Sequence, residues 1–160
     1  MKAVVIYYSL KGNCQFVAQY IAEKLGVKEL RLEPSVEPPT KGLGMFLKGG
    51  SMALKKMVPE IKDLGTDLSE YDTVVICAPV WAGTYPPAVG AMLKKYDLSG
   101  KKVALAAASA SGKGEKMMDE LAAACGGDVV GRLSLTNPLR NLEACKAKID
   151  DFVQSLQARV

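Results

Sequence analysis

Residues 3–16 read AVVIYYSLKGNCQF. An unbroken apolar run, AVVIYY, stops at a short loop of Ser9, Leu10, Lys11, Gly12, Asn13 and Cys14. Phe16, Val17, Tyr20, Ile21 and Leu25 then share one face at helical spacing until Gly26 ends the pattern. An apolar run without alternation predicts a strand covered on both faces, as in a parallel sheet. Strand, tight polar loop and helix in that order therefore open an α/β unit.

The rest of the chain repeats the pattern. With the first strand over 3–8, further strands are expected over 28–32, 73–78, 102–108 and 128–135. The runs at 28–32 and 128–135 carry more polar residues, as edge strands do. Pro86 and Pro87 open a helix holding Val89, Met92, Leu93 and Tyr96. Met117, Met118, Leu121 and Cys125 mark another, stopped by Gly126 and Gly127. Leu142, Cys145, Ile149, Phe152, Val153 and Leu156 mark the last, with Asn141 as its expected cap. Fivefold alternation of strand and helix predicts one domain over 1–160, α/β in class, a doubly wound five-stranded parallel sheet with right-handed crossovers. The segment 33–72 is too long for a simple crossover. Leu43, Phe46, Leu47, Met52, Leu54 and Met57 can line a helix, broken near Gly49-Gly50. It reads as a crossover helix with a ragged entrance, or as a lid over a ligand or a homodimer contact.

Composition narrows the function. The net charge of +4 is mild and its lysines are spread out, apart from Lys48, Lys55 and Lys56, so nucleic-acid binding is not expected. No apolar run reaches the ~20 residues of a membrane span. A membrane-surface role around residues 45–57 is disfavoured by a short and weakly basic segment. Histidine is absent, which removes Ser-His-Asp and Cys-His catalysis. Cys14, Cys77, Cys125 and Cys145 are dispersed, with no CxxC, which fits reduced thiols and a cytoplasmic location. Side-chain acid–base catalysis and a metal site are not expected, and redox chemistry would need a borrowed cofactor.

Ligands of open parallel sheets bind beyond the carboxyl ends of the strands. Three loops lie there. The first, Ser9 to Cys14, gathers hydroxyl, amide and backbone N–H donors before a helix N-terminus. It is either an anion nest or a polar turn that caps the helix. The second, Pro79, Val80, Trp81, Ala82, Gly83, Thr84 and Tyr85 with two prolines behind, carries the chain's single Trp. That ring either stacks on a flat ligand or lies under its own loop. The third, Ser109, Ala110, Ser111, Gly112, Lys113 and Gly114, can hydrogen-bond a ring edge or is an ordinary connection. Competing phosphate motifs fail: there is no GxxxxGK[ST], Gly112-Lys113-Gly114 lacks the rest of GxGxxG, and Cys14 has no Arg before Arg31.

Taken together, SLKGNC after the first strand, PVWAGTYPP after the third and the fivefold alternation make nearly the whole chain resemble the flavodoxin-like family. The resemblance implies strand order 2-1-3-4-5 and noncovalent FMN at the switch point between strands one and three. It implies a phosphate on Ser9, Leu10, Lys11, Gly12, Asn13 and Cys14. It places the isoalloxazine against Trp81, with Pro79, Val80, Ala82, Gly83 and, more weakly, Tyr85 nearby. The pyrimidine side would lie toward Ser109, Ala110, Ser111, Gly112 and Gly114. Three departures stand out. The last position of the phosphate loop, often Thr or Ser in the family, is Cys14, and the loop after strand four has no aromatic. The chain is also basic where flavodoxins are commonly acidic. The resemblance implies an electron carrier serving a redox partner protein, which the short single-domain chain favours and the basic charge weakens. The alternative is an FMN-dependent enzyme whose open flavin face takes hydride from NAD(P)H and reduces a quinone or another small acceptor. A flavin-free interaction module is a third class, opposed by the intact phosphate and Trp loops.

Overall fold

The computed structural model describes residues 1–159, with the side chain of Phe46 outside the described set, as is Val160. Strands β1 (Ala3–Tyr7), β2 (Lys28–Arg31), β3 (Thr73–Pro79), β4 (Lys102–Ser109) and β5 (Asp128–Thr136) alternate with helices α1 (Asn13–Leu25), α2 (Leu43–Leu54), α3 (Pro87–Lys95), α4 (Glu115–Cys125) and α5 (Leu142–Gln157). All pairings are parallel and the order is β2-β1-β3-β4-β5. The polar strands β2 and β5 are the edges, as their composition requires.

The uniformly apolar central strands divide their side chains between two cores. Val4, Ile6, Val74, Ile76, Val103 and Leu105 face α3 and α4, meeting Val89, Met92, Met117 and Leu121. Val5, Tyr7, Val75, Cys77, Ala104 and Ala106 face α1 and α5, meeting Val17, Ile21, Ile149 and Phe152. Successive residues thus bury into opposite layers, so every position must be apolar. Because α1 leaves β1 toward one layer and α3 leaves β3 toward the other, the loops at their carboxyl ends part. The crevice between them is the switch point of the sheet.

Two local expectations need correction. Helix α2 runs unbroken through Gly49-Gly50. Each glycine disfavours helix by ~1 kcal/mol relative to Ala. An added Cβ at Gly49 would make only ordinary contact with Trp81 and Pro38, at 3.6 Å. Burial of the side of the helix that carries Gly49, Met52 and Ala53 outweighs the propensity there. Asn141 does occupy the position before α5, but its side chain accepts nothing from the helix. Its amide donates instead to the carbonyls of Thr136 and Asn137, at 3.0 and 3.4 Å.

Candidate functional site

At the carboxyl edge of β1, β3 and β4 lies a cavity of about 480 Å³, within the ~300–1,000 Å³ usual for small-molecule sites. Its floor is the loop after β1. Ser9 is 3% exposed, and its hydroxyl accepts the Gly12 N–H at 3.0 Å. Gly12 sits at φ 93°, a left-handed value that a side chain would strain. Helix α1 then starts with no side-chain cap and no acidic residue in its first turn. Its leading N–H groups have no intrahelical acceptor, and the helix dipole leaves positive charge there. The loop is therefore tied by its own serine while the donors of α1 stay available to an anion.

The other loop residues divide between lining and bracing. Leu10, Lys11 and Asn13 line the cavity with Ser9. The Asn13 side-chain oxygen Oδ1 also accepts the Leu139 N–H at 3.1 Å, which clamps the loop to the turn after β5. Cys14 is brought no closer than the first turn of α1. Its side chain is buried in the α1–α5 core, and burial pushes the thiol pKa well up. It contributes no side-chain donor to the cavity. Arg31, at the end of β2, donates to the Ser9 carbonyl at 3.1 Å. That brace went unread in the sequence, where only the edge position of β2 hinted that a long side chain could reach its neighbour.

The loop after β3 forms the wall. Trp81 and Thr84 exchange two backbone hydrogen bonds, 2.9 and 3.0 Å, around Ala82 at φ 50° and Gly83 at φ 79°. Two left-handed residues in succession define the tight turn that favours glycine at both positions, so Ala82 is held in strain. The Trp81 ring meets Tyr8 edge-on, centroids 5.5 Å apart at 81°. On the same ring lies the backbone of Gly49 from α2. Trp81 is thus neither a free platform nor hidden under its own loop. It is wedged between Tyr8 and α2 and still lines the cavity with Pro79, Val80 and Ala82. Gly83 instead faces Lys116, and Tyr85 packs against Gly90 in the core layer.

From the third loop, Ser109 and Ala110 line the cavity. Ser111, Gly112 and Gly114 do not. Gly112 offers its carbonyl to the Ser134 hydroxyl at 2.8 Å. Added Cβ atoms would overlap the Thr136 hydroxyl at Gly112 and press on Ala107 at Gly114. These glycines seat the loop on β4 and β5. The Ser109 hydroxyl is buried and has no partner among the described residues, a cost of ~1–3 kcal/mol unless something satisfies it.

Two further walls were not read from the loops after strands one, three and four. Asn137 and Pro138, after β5, close one side, with the Asn137 amide donating to the Ala110 carbonyl at 3.2 Å. The Asn-Pro pair is a turn signal that marked this position. Met45, Gly49 and Gly50 of α2 close the other, so the crossover helix itself borders the site. Among the lining residues Trp81 is the one aromatic and Lys11 the one charged side chain. A floor rich in N–H donors, without a carboxylate, suits an anionic group; a flat indole and a partnerless hydroxyl suit a polar-edged ring.

A family model described as flavodoxin matches residues 2–154. The chain belongs to the flavodoxin family. Solved structures agree with the topology of this flavodoxin-family chain. The flavoprotein of Lactobacillus acidophilus NCFM, solved in complex with FMN, is 19% identical with a TM-score of 0.74, over 94% of this chain and 97% of that one. Oxidised flavodoxin 2 of Bacillus cereus is 18% identical with a TM-score of 0.63 over 100% of both chains. The Streptococcus pneumonia TIGR4 flavodoxin is 15% identical with a TM-score of 0.61 over 99% of both. At these identities the likeness establishes the fold. No curated protein matches the chain significantly. Among the described residues no helix is long and apolar enough to cross a membrane.

Proposed function

We propose that this flavodoxin-family protein binds FMN noncovalently and carries electrons for a redox partner protein. One observation carries the reading: an acid-free cavity at the switch point of the sheet joins an uncapped helix N-terminus, the single Trp and the partnerless Ser109 hydroxyl. The residues fit the group. Ser9, Lys11 and the first turn of α1 would hold the phosphate, Trp81 would lie against the ring system, and Ser109 with Ala110 would meet its polar edge. When bound, FMN supplies one- and two-electron redox chemistry. The protein contributes binding, exclusion of water and a fixed field. Positive charge on Lys11 and Arg31 favours the more negatively charged reduced group and raises its potential.

A second reading is a small enzyme that oxidises NAD(P)H and reduces a quinone or similar acceptor in a cytoplasmic setting. It is supported by the lining itself, in which Trp81 is the one aromatic among the described residues. Titration of FMN into apoprotein, read by flavin fluorescence, tests the common core of both. Tight, quenched binding that Trp81→Ala weakens by ~tenfold or more is expected. Absence of binding would leave only the fold. Steady-state NAD(P)H oxidation with quinone separates the two, since a carrier shows no turnover.

A further inference from the structure

Helix α2 is amphipathic in an unusual sense, because both of its faces are apolar. Met52 and Ala53 point inward and are buried, and Gly49 rests on Trp81. Leu43, Leu47 and Leu54 recur at helical spacing on the opposite side and are 72, 64 and 68% exposed. Met57 and Val58, also exposed, extend the patch past the helix end. A contiguous outward apolar stripe of this kind marks an interaction surface.

Charge identifies the occupant. Between Glu37 and Glu60 there is no acidic residue, while Lys41, Lys48, Lys55 and Lys56 all fall there. Removing those four from the chain's 21 basic residues leaves 17, equal to its 17 acidic ones, so the net +4 belongs to this one segment. A second copy docked through the same stripe would bring these lysines against themselves. A convex helix with leucines outward and flexible lysines beside them matches an interface that is apolar below and anionic at its rim.

We propose that α2 docks this protein on an anionic phospholipid surface, with Leu43, Leu47 and Leu54 entering the headgroup boundary and Lys48 and Lys55 on the lipid phosphates. The reading of this segment as too short and too weakly basic took its length and charge alone. The structure adds that its leucines face outward. Met45, Gly49 and Gly50 of the same helix wall the cavity, so docking places that wall one helix away from the bilayer. The inference rests on α2 and does not depend on the cofactor.

The test is flotation of the full chain, with FMN present, on phosphatidylcholine vesicles with and without added phosphatidylglycerol. Binding is expected only with the anionic lipid and should fall as salt rises. A lysine near such a surface contributes about fivefold in affinity, so Lys48→Gln with Lys55→Gln should weaken binding by about 30-fold. Leu47→Asn with Leu54→Asn should abolish it, while circular dichroism and the melting temperature stay near wild type. Three results would overturn the proposal: no flotation on anionic vesicles, flotation that the leucine substitutions leave intact, or self-association in sedimentation that those substitutions abolish while vesicles bind nothing.

Discussion

Replacing Ser9 by Ala isolates what the loop after β1 does. In the free protein the Ser9 hydroxyl oxygen accepts the Gly12 N–H at 3.0 Å, so its own proton is directed elsewhere. The side chain is almost wholly buried at the cavity floor. Two separable losses follow. The first is structural: one neutral hydrogen bond disappears, worth about 0.5–1.5 kcal/mol of stability. The second is a hydrogen bond to a charged phosphate, worth about 1.5–3 kcal/mol. At ~1.4 kcal/mol per tenfold, the second term predicts FMN affinity falling ~10- to ~150-fold. Riboflavin has the same ring system and no phosphate, so the second term is absent and its affinity should change by less than about threefold. Parallel fluorescence titrations of both ligands into wild type and Ser9→Ala supply the comparison. Equal losses for FMN and riboflavin would refute the argument, because they would mean that the substitution had deformed the ring site and that no phosphate rests on this serine.

Other outcomes follow from local geometry. Ala82→Gly should raise thermal stability by about 0.5–1 kcal/mol, because the relief of a left-handed alanine of ~1–2 kcal/mol exceeds the ~0.4–1 kcal/mol of added unfolded-chain entropy; differential scanning calorimetry reads the shift. Ile6→Ala removes a fully buried side chain from the α3–α4 core and should cost about 2–5 kcal/mol in urea titration. Asp72 accepts the Lys2 N–H and the Thr73 hydroxyl, and these bonds hold its pKa below the ordinary 3.8. Its carboxylate therefore adds stability that is fully present above that value and lost as pH falls through the lower folded value. Acid unfolding of Asp72→Asn should be correspondingly shallower at its lowest pH end, measured by circular dichroism.

The central strands were legible because burial on both faces demands unbroken Val, Ile and Ala, and nothing else in the chain looks like that. Strand order came with the family resemblance; no run of residues states which strand is central. Of the candidate site, Ser9, Lys11, Trp81 and Ser109 sit where the loops placed them, since each follows a strand whose end is fixed. Gly112 and Gly114 had the look of ligand glycines, but the space they leave is filled by Thr136 and Ala107. Such a distinction depends on what lies opposite, which local sequence does not carry. Helix α2 is the larger gap. Gly49-Gly50 reads as a break, and the helix continues because its Gly49, Met52 and Ala53 side is buried, which local sequence does not show.

The single Trp, held between Tyr8, the backbone of Gly49 and the cavity, is also an intrinsic optical probe. A ligand arriving from the cavity side and a displacement of α2 on the other would both alter the same emission, with no second indole to obscure either signal. A label attached to α2 would tell the two apart by energy transfer: filling the cavity quenches the indole at constant separation, whereas movement of the helix changes the separation itself. The chain therefore carries the means to time, in one stopped-flow trace, whether its overhanging helix moves before the cavity fills or after.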